Sequence, residues 1–336
     1  MLKNNMMSAL GDRAAPDVGA ARTVVLTGDA RLFSSLALPR YAECLNGLPP
    51  GYIAVGGIMA GRPAALALGF LDDNGTAELL SLAVAGGHRG KGAGRCILRA
   101  WEEEASARGA THATARFAGS VPVRAAVEGL AAAAGWSPPR EDGLFVVGRA
   151  GVMADVVGQW PAISQRLAIP SAYEYAPVEL TPEDLPRIEY FLSLPEAADM
   201  QGPVGLADKL ALDFSLFIRR GGELVGWVLA GPSDRAAISR LYGSDAPAIE
   251  YYEAFLDPAY WHTAVAVGAY YRCYKAQADQ LGHGSVAIYY THPKRPRMVH
   301  LTRRRFAPIA DRVETVFSSG KLLSAPHSPP TERNPS

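Results

Sequence analysis

"VAGGHRGKGAGRCIL", residues 84–98, sets five glycines and the bases Arg89, Lys91 and Arg95 between an apolar run and an amphipathic stretch. Upstream, "ELLSLAV" (78–84) has the apolar content of a central strand. Downstream, Ile97, Trp101 and Ala105 recur at i, i+4 and i+8 with Leu98 beside them. That spacing predicts a helix over 93–108, with Glu102, Glu103 and Arg108 toward water. A glycine-rich turn that opens a helix aims several backbone N–H groups at one point, where the helix dipole adds positive potential. With side chains removed, phosphate oxygens can reach that backbone. The stretch therefore reads as an anion cradle, the plainer alternative being a tight strand-to-helix turn. Two familiar loops are excluded. A GxxxxGK[ST] loop fails because Gly92 follows Lys91; GxGxxG fails because Gly90-x-Gly92 leads to Arg95 and Gly92-x-Gly94 to Ile97.

The remainder of the chain bounds the answer. Its 336 residues suit two domains, and 49% are hydrophobic, which supports a packed core. Lys+Arg and Asp+Glu each total 33, so net charge favours neither a polyanion nor a membrane. Cys44, Cys96 and Cys273 are odd in number and far apart, as in a reduced, cytoplasmic protein. The N-terminus carries no apolar core of a signal peptide, and no apolar run is long enough to span a membrane.

The order of elements predicts two α/β (α+β) domains, each a mixed, largely antiparallel central sheet flanked by helices. Residues 1–22 and 321–336 are expected to fray as a flexible N-terminus and a disordered tail. In a first domain over 23–150, 32–48 reads as helical. Strands follow about a turn at Gly61–Pro63, then the glycine loop and its helix, a strand at 111–118, a helix at 123–136 and a strand at 143–150. Residues 151–172 read as a linker. A second domain over 173–320 repeats the order without repeating the letters. It has a strand at 173–180, a helix start at Thr181-Pro182 with Thr181 as N-cap, a hairpin about Gly221-Gly222, strands at 236–242 and 250–256, a helix, and a strand at 285–291.

Arg89-Gly90-Lys91-Gly92-Ala93-Gly94, with its flanking strand and helix and with Gly135-Trp136 ending the next helix, resembles the R/Q-x-x-G-x-G/A loop of the GNAT superfamily of N-acetyltransferases. The resemblance covers 23–150 well and the second half more faintly. It implies that Arg89, Gly90, Lys91, Gly92, Ala93, Gly94 and Arg95 hold the pyrophosphate of acetyl-CoA or another acyl-CoA. It further implies that the backbone of Leu82, Ala83 and Val84 pairs with the pantetheine arm. In the second half, "LDPAYWHTAVAVGAYY" (256–271) occupies the corresponding place with bulk from Trp261 to Val267 and a single Gly268. That half reads as a degenerate GNAT-like domain.

The catalytic groups are less plain. Many members of the family carry a leaving-group Tyr four residues before the closing glycine; here that position is Ala131, and its second-half counterpart is Leu301. Glu78 is a candidate base or a simple strand-end charge. His112 is a candidate base or acid, or a strand histidine; Cys96 reads as core. No His/Cys spacing points to a metal. Finally, Lys294, Arg295, Arg297, Arg303, Arg304 and Arg305 fall in a window, 280–310, that contains no acid. They are candidates to hold a polyanion, an anionic substrate or the coenzyme phosphate, or form a solvated face. The leading expectation is an N-acyltransferase acting on a small-molecule amine. The alternatives are a transferase that takes its acyl group from aminoacyl-tRNA, with tRNA as partner, and a non-catalytic acyl-CoA sensor. The oligomeric state stays open.

Overall fold

A computed structural model describes residues 22–38, 41–120, 124–167, 172–233 and 246–323. The expected frayed ends, apart from Arg22 and 321–323, and the strand expected at 236–242 lie outside the described residues. The chain divides into two units, one built from residues up to Asp142 together with those from Val316 onward, the other from Gly143–Thr315.

In the first unit, β1 (Arg22–Leu26), β2 (Tyr52–Met59), β3 (Arg62–Leu71) and β4 (Thr76–Val84) form an antiparallel meander. The β2–β3 turn uses left-handed backbone at Ala60 and Gly61, and Asp72 holds the β3–β4 turn by accepting from the N–H groups of Asn74 and Thr76. The glycine loop leads into α1 (Ala93–Ala107), then β5 (His112–Ala118) and α2 (Arg124–Ala133). Ile97, Leu98, Trp101 and Ala105 of α1 are buried against Ala65, Ala67, Ala77 and Ala113 of the sheet, as the spacing predicts. The region 32–48 instead makes short 3₁₀ turns, Arg31–Leu36 and Glu43–Asn46, where Phe33 and Leu45 cover the other sheet face.

The strand beside β5 is the chief departure from the sequence reading. β6 (Arg140–Arg149), expected to close the first domain, pairs from Leu144 onward with β11 (Val286–Thr291) of the second unit. Beside β5 lies β12 (Arg312–Leu322), antiparallel from Val316 to Leu322. The domain boundary therefore falls at residue 142 and not at 150, and the last strand returns to the first unit. Gly143 permits β6 its place, because a Cβ there would collide with the Thr291 carbonyl oxygen of β11. Lys321 secures β12: its Nζ donates to Glu102 Oε2 (2.6 Å) and Ala134 O (2.8 Å), and Trp136 Nε1 donates to Glu102 Oε1. Glu102, expected to face water, is consequently buried. Its partner lies 219 residues away, beyond the reach of any local pattern.

The second unit carries β6, β7 (Tyr173–Pro177), β8 (Leu216–Arg220), β9 (Glu223–Pro232), β10 (Ala248–Leu256) and β11 (Val286–Thr291) in the order β6-β11-β10-β9-β8-β7. The expected linker contains two helices, α3 (Ala150–Gln159) and α4 (Pro161–Leu167), with Met153 and Val157 of α3 in the core. Thr181 does not cap a helix. Its hydroxyl donates to Asp184, and α5 (Leu185–Ser193) starts after a turn, with Pro186 in its first turn. Arg219 hydrogen-bonds both Asp184 oxygens and holds that carboxyl below the usual range. Then come α6 (Val265–Leu281) and α7 (Pro296–Leu301), the latter continuing into a π-turn, Thr302–Phe306.

The anchoring of β12 is testable. Lys321→Met leaves a buried carboxylate with one partner fewer and costs about 1–3 kcal/mol, read as a lower urea midpoint at unchanged m-value. Adding Glu102→Gln removes the orphaned charge and recovers part of the loss. Equal stability of wild type and Lys321→Met would contradict the arrangement.

Candidate active site

β4 is hydrogen-bonded to β3 along its length, up to Ala65↔Val84. To β5 it is paired in parallel over only four positions, Thr76–Leu79 against His112–Ala115. Beyond Leu79 the two strands part, and the backbone of Ser81–Val84 faces an open edge. A bulge marks the parting: Leu68 pairs Ser81 and Gly69 pairs Leu79, so Leu80 is the extra residue and the strand bends there. Trp101 of α1 lies fully buried at this place, and a Cβ on Gly69 would collide with its indole.

At the open strand's end, Gly90 (φ +72°) and Gly92 (φ +83°) are left-handed, and a Cβ on either would meet nothing within 4 Å. Their glycine requirement is conformational, and the space over them is free of protein. The first α1 hydrogen bond runs from Cys96 N–H to Gly92 O, so the N–H groups of Ala93, Gly94 and Arg95 have no preceding helical carbonyl to meet. Arg89 and Lys91 act on the loop itself: Arg89 Nε donates to Val84 O and Lys91 Nζ to Gly87 O, both at 2.9 Å. The loop's outward offer is thus backbone N–H, with two side chains bracing it from within. Arg95 is exposed, and Cys96 is half-buried.

Glu78 lines a cavity of about 340 Å³ on the sheet face opposite α1, together with Phe70, Asp72, Thr76, Thr114, Arg116, Asp142 and Ser318. The register accounts for this set, since Phe70 pairs Glu78, Glu78 pairs Thr114 and Arg116 pairs Ser318, whereas the alternating Ala77 and Ala113 face α1. Arg116 is ion-paired with Asp142 at 3.1 Å, and Asp72 is engaged in its turn. Glu78 alone of the three carboxylates makes no hydrogen bond or ion pair among the described residues. His112 is outside the cavity, exposed, with Nδ1 2.9 Å from Thr111 Oγ1. Ala131, where a tyrosine was sought, is buried against the core beneath α1. Sequence reading missed Thr114, Arg116, Asp142 and Ser318, because β5, β6 and β12 converge only in the fold.

The second unit repeats the frame. β10 pairs in parallel with β11 over four positions, Ala248–Tyr251 against Val286–Tyr289, and is bulged at Tyr252. Its loop is built differently. Trp261 Nε1 donates to Leu256 O at 2.7 Å, five residues back, as Arg89 does to Val84 O in the first unit. No left-handed glycine precedes α6 among the described residues of this loop, 256–264. Tyr251, Tyr270, Tyr274, Tyr289 and Phe306 pack together beside it, and burial drives the four phenols well above the usual tyrosine range. The basic segment belongs to this unit. Lys294 is paired with Asp199 (2.7 Å), Arg295 donates to Ala198 O, Arg297 and Arg305 lie over the Trp261 and Trp160 rings, and Arg303 and Arg304 are exposed.

Residues 28–127 match the family model described as the acetyltransferase (GNAT) family. That stretch is similar to a GNAT domain. The match lies wholly within the first unit. Among solved structures the chain is similar to a tandem GNAT protein from the clavulanic acid biosynthesis pathway (14% identity, TM-score 0.61, 90% of this chain and 99% of that one). It is also similar to a GNAT from Sphaerobacter thermophilus (14%, TM-score 0.57, 92% and 97%). A third likeness is to the glucosamine N-acetyltransferase region of a fungal multi-domain β-N-acetylglucosaminidase (11%, TM-score 0.65, 92% of this chain, 38% of that one). At these identities the likeness is one of fold. No curated protein matches by sequence.

The loop geometry separates two glycines. Gly92→Ala forces a side chain into left-handed backbone and lowers stability by about 1–2 kcal/mol. Gly94→Ala meets only Val84 and Leu130 at ordinary contact and leaves the urea midpoint unchanged or slightly raised. The reverse order in equilibrium unfolding would contradict the loop conformation.

Proposed function

We propose that this protein transfers an acyl group, most simply acetyl, from acyl-CoA to the amine of a small molecule, with the donor held by the first unit. The observation that carries this reading is the open edge of β4 at Ser81–Val84 running directly into the loop of free N–H groups. An extended arm can hydrogen-bond along that edge as an added strand would. The backbone N–H groups of Gly90–Arg95 then face the diphosphate, favoured by the helix dipole.

The acceptor amine enters by the Glu78 cavity. Glu78 lies one residue before the last β4–β5 pair, so its carboxylate is close to where the strands part and the acyl group would end. It takes a proton from the acceptor ammonium, leaving the free amine as nucleophile. Nitrogen forms the new C–N bond, the C–S bond breaks, and water relays the proton lost by the now cationic nitrogen to the departing thiolate, giving amide and free thiol. With Ala131 at the tyrosine position no side chain need supply that proton, because a thiol of pKa about 8.5 is a tolerable leaving group near neutral pH. His112, outside the cavity, has no part in this scheme.

Isothermal titration with acetyl-CoA tests the donor site, and absence of heat at millimolar ligand contradicts it. Glu78→Gln lowers kcat/KM by about 10²–10⁴-fold while leaving acetyl-CoA binding within twofold. Turnover of an amine panel with purified acetyl-CoA and no RNA excludes both the aminoacyl-tRNA donor and the non-catalytic sensor. Binding without turnover of any amine favours the sensor.

A further inference from the structure

The acid-free segment of the second unit is not a diffuse solvated charge. Two of its cations are neutralised or tied down, Lys294 by Asp199 and Arg295 by the Ala198 carbonyl. Arg297, Arg304 and Arg305 are exposed on α7 and the π-turn that follows it. That turn is closed by the Ala307 N–H→Thr302 O bond (2.8 Å), which buries Thr302 and Phe306 and leaves Arg303, Arg304 and Arg305 exposed between them. A π-turn adds a residue to the helical repeat and so resets the phase of the side chains after it. Arg297, before the turn, lies 4.6 Å over the Trp261 ring, and Arg305, within it, 5.6 Å over the Trp160 ring.

Both tryptophans are themselves fixed. Trp261 donates its indole N–H to Leu256 O, and Trp160 packs on buried Phe306 at 5.6 Å between centroids. An arginine stacked on a tryptophan has one face covered, while its other face and its N–H edges stay open. Arg297 and Arg305 thus each set a cationic plane over a fixed indole, eight residues apart in the chain, with Arg304 exposed beside them. Flat rings match the planes and phosphates match the edges; a carboxylate-bearing surface would use the charge alone.

We propose that this face binds single-stranded nucleic acid, with bases stacking on the guanidinium planes of Arg297 and Arg305 and phosphates meeting their edges and Arg304. This combination of stacking planes and backbone cations is sequence-tolerant and salt-sensitive. It is independent of the acyl-donor reading, since every residue involved belongs to the second unit.

Fluorescence anisotropy with fluorescein-labelled oligoadenylate, as RNA and as DNA, tests it on the full chain. Three phosphate contacts on a single strand predict a Kd that rises about twentyfold between 50 and 200 mM salt. Arg297→Glu/Arg304→Glu/Arg305→Glu abolishes binding, with circular dichroism and acetyl-CoA titration unchanged. Arg297→Lys/Arg305→Lys keeps the charge and loses the planes, so it weakens binding about fivefold or more without changing the salt slope. Preference for the RNA or the DNA probe identifies the natural strand. The proposal is overturned by no binding at 50 mM salt, by unchanged binding in the triple variant, or by wild-type affinity in the lysine variant. Competition by polyglutamate as effective as that by unlabelled oligoadenylate would equally overturn it.

Discussion

The seating of Trp101 at Gly69 is the constraint on which the first unit depends. A helix can press so large a side chain onto a strand only where the strand offers no Cβ, and Gly69 lies at the β3–β4 bulge. Fixing Trp101 there fixes the phase and height of α1, and hence the place of its N-terminus beside the end of β4. The same bulge bends β4 away from β5 after four pairs. One contact therefore sets both the open strand edge and the N–H groups that continue it. On the proposed reading, preorganisation of this kind lets the edge receive an extended, anionic arm without rearrangement of the backbone.

The two units keep one frame and differ in what closes it. Each has four parallel pairs, a single-residue bulge and a side chain that donates back five residues to the strand-end carbonyl. With Arg89 in that role the neighbouring residues are left-handed glycines and the space above them is empty. With Trp261 the indole occupies the loop, and the adjoining parallel pair, Tyr251 and Tyr289, is packed into an aromatic core. The two units thus share the strand frame and differ in the loop that closes it. The exchange of β6 and β12 between units gives each sheet a strand from distant sequence, so the cavity at Glu78 includes Ser318 of the last strand and Asp142 of β6.

Much of this was legible in the sequence because it is local. The glycine spacing, the i, i+4, i+8 apolar stripe of α1, the turn at Gly61 and the Gly221-Gly222 hairpin each act within a few residues, and all stand where the patterns put them. Glu78 was visible as a charge in an apolar strand. What escaped depends on pairing at long range. Nothing near Gly143 announces that β6 crosses to β11, nothing near Glu102 announces Lys321, and a helix-forming 151–167 resembled a connector because its apolar residues have no partner in sequence. The resemblance implies Arg89 and Lys91 as pyrophosphate ligands; that both side chains also donate to loop carbonyls, Val84 O and Gly87 O, depends on side-chain direction, which no sequence pattern carries.

In the proposed donor site the Ser81–Val84 edge and the Ala93–Arg95 amides act as one continuous surface. Amide hydrogen exchange of the full chain with and without coenzyme A measures it directly. Exchange at both segments slows together on adding the ligand, with the second unit's loop at 256–264 unchanged. Protection confined to the second unit, or absent from both segments while coenzyme A is bound, would contradict it.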